Sequence, residues 1–288
     1  MAGDEGGWEQ WQWDETLFAG AARFYLQGRT PYAEGLADAM ADALHLDGRG
    51  RLLDVGCGPG VVALRLAHLF EEVVGLDADA DMLKEGALQA EKLDLTNAVW
   101  VCMKAEELSG SLGRFRIATF AASFHWMDRL KVARSVKSLL EPGGAAVQVD
   151  AASYRADARA EAPTVDLPHP PPPDDAVAEL RTRYLGPDVR AGQGIRNSSP
   201  DGEDAVFRAA GFLPIRRVVI PDGRVLTRTI DDLVAQRFSY SPTAPHLFGD
   251  RLDDFEADLR QLLSEASPFG VFSVRLPENV ISIWELGK

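Results

Sequence analysis

Three observations predict a doubly wound α/β fold for this 288-residue chain. From residue 51 onward, short runs rich in β-branched residues alternate with stretches carrying apolar residues at helical spacing. The first run, "RLLDV", stops at a cluster holding Gly56, Gly58 and Gly60, and a helical stretch follows at once. The second run, "EVVGLD", ends on an acid, Asp77. Strand, glycine turn, helix, strand and terminal acid, in that order, build a parallel βαβ unit with a ligand-facing edge.

The elements follow in order. Strands are predicted at 51–55 and 72–77, separated by a helix over 61–70. A helix over 82–93 leads to a third strand at 97–103, and "RIATFAA" is the fourth. The helix at 128–140 is stopped by "EPGG", and "AAVQVD" (145–150) is the fifth strand. Within 167–175, "LPHPPPPDD", five prolines among nine residues predict a stiff, extended connection. A short helix at 202–212 precedes a sixth strand at 214–220, and the alternation in "ENVISIWEL" (278–286) marks a seventh. Between these last two strands, Thr229 and Asp232 stand at capping-box spacing before a helix to residue 238. Leu252, Phe255, Leu259, Leu262 and Leu263 form one stripe of a helix over 252–266.

Composition narrows the function classes. The chain is 46% hydrophobic and 26% charged, enough for a folded core, and its net charge is −14. A surface that acidic repels phosphate backbones and anionic lipid, so neither nucleic acid nor membrane is the expected partner. No apolar run approaches a membrane span, and "MAGDEGGWEQ" lacks the apolar stretch of a secretory signal. Cys57 and Cys102 have neither metal-ligand nor disulfide spacing; both are expected in buried core, as reduced thiols of a cytoplasmic protein. No metal cluster is expected.

The glycine turn by itself fits two cofactor classes. A nicotinamide fingerprint is G-x-G-x-x-G, whereas here the spacing is G-x-G-x-G and Val61 takes the place of that third glycine. "LLDVGCGPG", "VVGLDADADML", "AEEL" (105–108), "FHWMD" (124–128) and "LLEPGG" stand in sequence order. Together they resemble class I S-adenosylmethionine-dependent methyltransferases, specifically the small-molecule type with a His-Trp pair after the fourth strand. The resemblance implies a Rossmann-like seven-stranded sheet, mostly parallel, with the last strand antiparallel. It implies S-adenosylmethionine contacts from Asp54, Gly56, Cys57, Gly58 and Gly60, and from Asp77 (on the ribose hydroxyls), Ala78 and Met82. Ala105, Glu106 and Ser123 complete the implied contacts, and Arg29 is a candidate partner for the methionine carboxylate. Two positions depart from the pattern. Lys104 replaces a polar acceptor that relatives often place near the adenine amino group, so that contact falls to Glu106 or a main-chain carbonyl. Arg116 stands where many relatives open the fourth strand with Asp.

His125 lies just past the fourth strand and has two readings: a general base for a protonated acceptor, or a pocket wall. Phe124 and Trp126 read as walls. The absence of an N-P-P-Y-type stretch argues against amino-group methylation of nucleobases or glutamine. Residues 49–150 are expected to form the cofactor core, completed by 203–220 and 278–288. An N-terminal helical lid (1–48), a proline-rich insertion (151–202) and a helical insertion (221–277) are expected to cap it. Tyr25, Tyr32, Trp126, Tyr240, His246 and Phe248 are the candidate substrate residues. Trp8, Trp11 and Trp13 are expected to staple an N-terminal helix to the body. The expected reaction is O-methylation of a small molecule, with N- and C-methylation left open and natural-product tailoring as a further expectation drawn from the cap. An oxidoreductase and a non-catalytic cofactor binder are the alternatives.

Overall fold

The computed structural model describes residues 14–151, 167–188 and 202–287. The tryptophan cluster at the N-terminus lies outside them. Two short helices, α1 (Ala22–Gly28) and α2 (Leu36–Leu44), precede the alternating region. That region runs β1 (Arg51–Val55), α3 (Val61–Leu66), β2 (Glu72–Asp77), α4 (Ala80–Lys92), β3 (Ala98–Cys102), β4 (Phe115–Ala121), α5 (Arg129–Leu139) and β5 (Leu140–Ala151). After it come α6 (Asp174–Leu185), α7 (Gly202–Ala209) and β6 (Arg216–Ile220). Then follow β7 (Val225–Thr229), α8 (Ile230–Phe238), α9 (Leu252–Ala266), β8 (Val271–Arg275) and β9 (Asn279–Glu285).

Seven strands form one sheet in the order β3-β2-β1-β4-β5-β9-β6. The first five pair in parallel, and β9 is antiparallel to both β5 and β6. The expected sixth strand therefore has an antiparallel hydrogen-bonded neighbour, although it runs in the same direction as the first five. The strand order reverses between β1 and β4, so the crevice above their carboxyl ends is where a ligand would sit. Two buried clusters cover the sheet's faces, one around Phe115, Phe120 and Trp284, the other around Met40, Leu52 and Phe70.

Local chemistry sets the helix starts. The Asp79 carboxylate accepts from the Asp81 and Met82 amides, and the Asp128 carboxylate from that of Lys131. The Thr229–Asp232 capping box is present in both directions.

Several expectations change. The helix expected over 61–70 stops at Leu66 and continues as a 3-10 turn. "EPGG" is an irregularity inside β5, whose register against β4 shifts between Phe115 and Ile117. The proline segment is followed at once by α6, which takes in Asp174 and Asp175 from the end of the stretch read as extended; these acids follow Pro173 and favour its first turn. A two-stranded antiparallel ribbon, β7–β8, was also not expected. Cys102 is exposed rather than buried, because β3 is the sheet's edge strand and points alternate side chains outward. A third buried cluster, including Leu180, Phe238, Phe248 and Phe255, joins α6, α8 and α9.

Candidate active site

A cavity of about 670 Å³ opens above the β1–β4 reversal. Its floor comes from the glycine turn, the end of β2 and the segment after β4. Its other walls come from α1, α6, α8, α9 and the 240–243 turn.

The glycine turn needs its glycines for different reasons. All three have positive φ, 67° at Gly56, 53° at Gly58 and 75° at Gly60. A Cβ on Gly56 would meet the Ser123 Cβ at 2.7 Å, so the turn packs on the segment following β4. A Cβ on Gly58 would find only the Tyr25 ring within 4 Å, so this glycine exposes main chain to the cavity. Gly60 is a packing position: the Trp100 indole fills the space of its side chain and stands as close over Gly75 and Gly86.

Asp77 ends β2 in the cavity wall. One carboxylate oxygen accepts from the Gly58 amide at 2.7 Å, the other from Asp79 at 2.9 Å. Each oxygen keeps a lone pair for a ligand hydroxyl. Burial raises its carboxyl pKa, against the pull of those two amides. Asp54 is different. It is fully buried, accepts from Thr119 Oγ1 at 2.7 Å and the Ala63 amide at 3.2 Å, and lies behind the cavity. Burial pushes its carboxyl up to about 7.

Of the other expected cofactor residues, Ala78, Met82, Ala105, Glu106, Ser123 and Arg29 line the cavity; Asp54, Cys57 and Gly60 do not. Glu106 spends one oxygen on the Asp128 amide, 2.8 Å, at the start of α5. Lys104 lines the wall and reaches Glu15 at 3.5 Å. Arg116, the other departure, ties β4 to the loop between α2 and β1 through Asp47 and the His45 carbonyl and takes no part in the cavity wall. Ser123 donates to the Val55 carbonyl at 2.6 Å and so joins the ends of β1 and β4.

His125 sits in a 3-10 turn, Phe124–Trp126, immediately after β4. Its ring lies 4.6 Å from that of Trp126, and both line the cavity. Phe124 turns the other way, into the core, where it stacks on Phe207 at 4.9 Å. Ala122 precedes the turn at φ 52°, a left-handed conformation for a residue with a Cβ, and also lines the cavity.

Tyr25 and Tyr240 line the cavity and hold the Arg29 guanidinium between them, 4.8 and 4.4 Å from their ring centres. Arg29 also donates to the Ser239 carbonyl at 2.8 Å. Three candidate substrate residues stand elsewhere. Tyr32 packs against the sheet cluster, with its carbonyl held by Arg65 and Arg224. His246 is exposed and meets the Ala19 carbonyl. Phe248 is buried and stacks on Phe255 at 4.1 Å inside the third buried cluster. The sequence shows an aromatic loop there, but not which of its rings is buried. Phe18, Met103, Arg181 and Arg237 also line the cavity, and no sequence motif marks them. For Arg181 the missing signal was α6 itself.

Among the described residues no group of three or more His, Cys, Asp or Glu could hold a metal, and no helix is long and apolar enough to cross a membrane.

The fit to a nucleoside-bearing cofactor rests on this cradle: an open glycine main chain, and a carboxylate at the strand end with acceptor capacity to spare. Known proteins point the same way. Residues 52–144 match the model of a methyltransferase domain. An uncharacterized RNA methyltransferase of Thermosynechococcus vestitus is 33% identical over 98 residues, which is 33% of this chain and 22% of that protein. A ubiquinone biosynthesis O-methyltransferase of Acinetobacter baumannii is 29% identical over 96 residues, 33% of this chain and 40% of that protein. The chain thus spans less than half the length of either relative. The crystal structure of the YcgJ protein of Bacillus subtilis superposes with a TM-score of 0.50 at 20% identity, covering 88% of this chain and 98% of that one. S-adenosylmethionine is the cofactor that this domain implies. Residues 52–144 thus match a methyltransferase domain, and the chain shares the fold that its resemblance to class I S-adenosylmethionine-dependent methyltransferases implies.

Proposed function

We propose that this protein transfers the methyl group of S-adenosylmethionine to an oxygen of a small molecule bound under the cap. The observation that carries the reading is one cavity whose wall includes Asp77, His125 and the cap residues Tyr240, Ser241 and Thr243. The cofactor supplies a methyl carbon already activated by its sulfonium, so the chain's task is alignment and exclusion of water. In this reading Asp77 accepts from the ribose hydroxyls and Arg29 pairs with the methionine carboxylate. Trp126, in the cavity wall, would offer an aromatic ring to the cationic sulfur. His125 takes the proton of a hydroxyl acceptor; with a carboxylate acceptor it is a wall.

The division into a cofactor core and a cap made of residues 1–48, 151–202 and 221–277 belongs to the same proposal. What supports it is that Tyr25, Ala178 and Tyr240, one from each segment, meet at one cavity. The net charge of −14 supports a small acceptor over nucleic acid. A cytoplasmic location and a tailoring role in natural-product metabolism are extensions of the reading, the second drawn from the size of the cap. The match to an RNA methyltransferase favours a second reading, in which RNA is the acceptor.

Calorimetric titration with S-adenosylhomocysteine, on wild type and Asp77→Ala, tests the cofactor site. Loss of a charge-assisted bond to a ribose hydroxyl, about 1.5–3 kcal/mol, predicts affinity weakened by about ten- to a hundredfold. Unchanged affinity would remove Asp77 from the site. A labelled-methyl assay over hydroxylated small molecules, carboxylic acids and transcribed tRNA then separates the acceptor readings. His125→Ala should abolish turnover of hydroxyl acceptors while S-adenosylhomocysteine still binds. Binding with no turnover of any acceptor would favour a non-catalytic binder.

A further inference from the structure

We infer that the acceptor carries a negative charge remote from its methylated atom, and that Arg181 on α6 reads it; this rests on the small-molecule reading above. The chain has 30 basic and 44 acidic residues, yet the cavity wall holds four cationic side chains against three carboxylates. An acidic protein that concentrates cations in one concave site focuses a potential there that draws anions.

Most of those cations have partners. Lys104 faces Glu15. Arg237 is paired with Asp174. Arg29 stacks between two tyrosines beside the cofactor end, where the methionine carboxylate is expected. Arg181 differs: its guanidinium bonds go to main-chain carbonyls, those of Gly186 at 3.0 Å and Asp188 at 3.1 Å. Carbonyl dipoles position a guanidinium without neutralising it, and they leave it further donors. Val177, Ala178 and Arg181 stand three and four residues apart, so α6 turns one face to the cavity. That face offers a cation next to apolar surface, and Phe255 adds an aromatic ring to the same wall. A compact apolar molecule with one carboxylate is what such a wall recognises.

The test uses the full chain saturated with S-adenosylhomocysteine, titrated with hydroxybenzoates and the matching hydroxybenzamides as probes. The acids are expected to bind at least tenfold more tightly than the amides. Arg181→Gln keeps donors for the helix-end carbonyls but no charge, and is expected to erase that preference with S-adenosylhomocysteine affinity unchanged. Arg181→Lys, which restores the charge, is expected to recover part of it. Equal binding of acids and amides, a preference surviving in Arg181→Gln, or no binding of either probe overturns the inference. Failure of S-adenosylhomocysteine itself to bind, seen in the first titration, would instead remove the methyltransferase reading and this one with it.

Discussion

Gly28 on α1 stands against the main chain of Ala235 on α8 so closely that a Cβ on it would lie 2.5 Å from the Ala235 carbonyl carbon. The two helices cross with no side chain between them. Arg228, itself buried, locks the crossing by donating to the Gln27 carbonyl at 2.7 Å, that of Gly28 at 2.9 Å and that of Asp232 at 3.2 Å. Tyr25 and Arg29 ride on one side of this crossing and Tyr240 on the other, so it sets one wall of the cavity.

Gly28→Ala is therefore expected to cost about 1–3 kcal/mol by overpacking and to spread α1 from α8. A urea titration checks the stability. Weaker S-adenosylhomocysteine binding in the same variant checks that the wall has moved; unchanged binding would show that the crossing does not shape the site.

Gly60 makes a second packing prediction. Its φ of 75° and the Trp100 ring over it mean that Gly60→Ala should cost about 2–4 kcal/mol, from left-handed strain plus overpacking. In a Trp100→Leu background the overpacking part should vanish and leave the strain. A double-mutant cycle by chemical denaturation measures the difference, and additive effects would contradict the packing account.

Asp54 predicts a pH dependence. Its carboxyl titrates near 7 in the folded protein and near 3.8 when unfolded, so the folded state holds the proton more tightly. Its contribution to stability is fully present below about 3.8 and is lost as pH rises through 7, about 4 kcal/mol in all. Asp77 shifts in the same direction, so the comparison must be with Asp54→Asn, which keeps an acceptor and cannot ionise. Unfolding free energies from pH 5 to 8 should fall less steeply in that variant; parallel curves would rule Asp54 out as the titrating group.

Much of the site's centre is legible in the chain itself. Gly58 and Asp77 can be read because their neighbours are local: a strand, a tight turn and the next strand fix each within about twenty residues of the other. The capping box at Thr229 is legible for the same reason. Gly60 shows the limit, since its spacing marks it as a ligand glycine and only the position of Trp100, forty residues on, reveals it as a packing site. Tyr240 and Phe248, eight residues apart in one aromatic loop, part company in the same way. One lines the cavity beside Arg29 and the other is buried against Phe255.

By itself, then, the sequence determined the βαβ order, the glycine turn and the acid at the end of β2, and with them the family resemblance, because periodicity and short-range hydrogen bonding specify these within a few turns of chain. Tertiary structure alone decided that a helix follows the prolines, that α1 crosses α8 at Gly28, and that Arg29 is held between Tyr25 and Tyr240. The crossing and the clasp of Tyr240 on Arg29 join residues some two hundred positions apart, and no local pattern encodes which faces will meet when several insertions bury their apolar sides against one another.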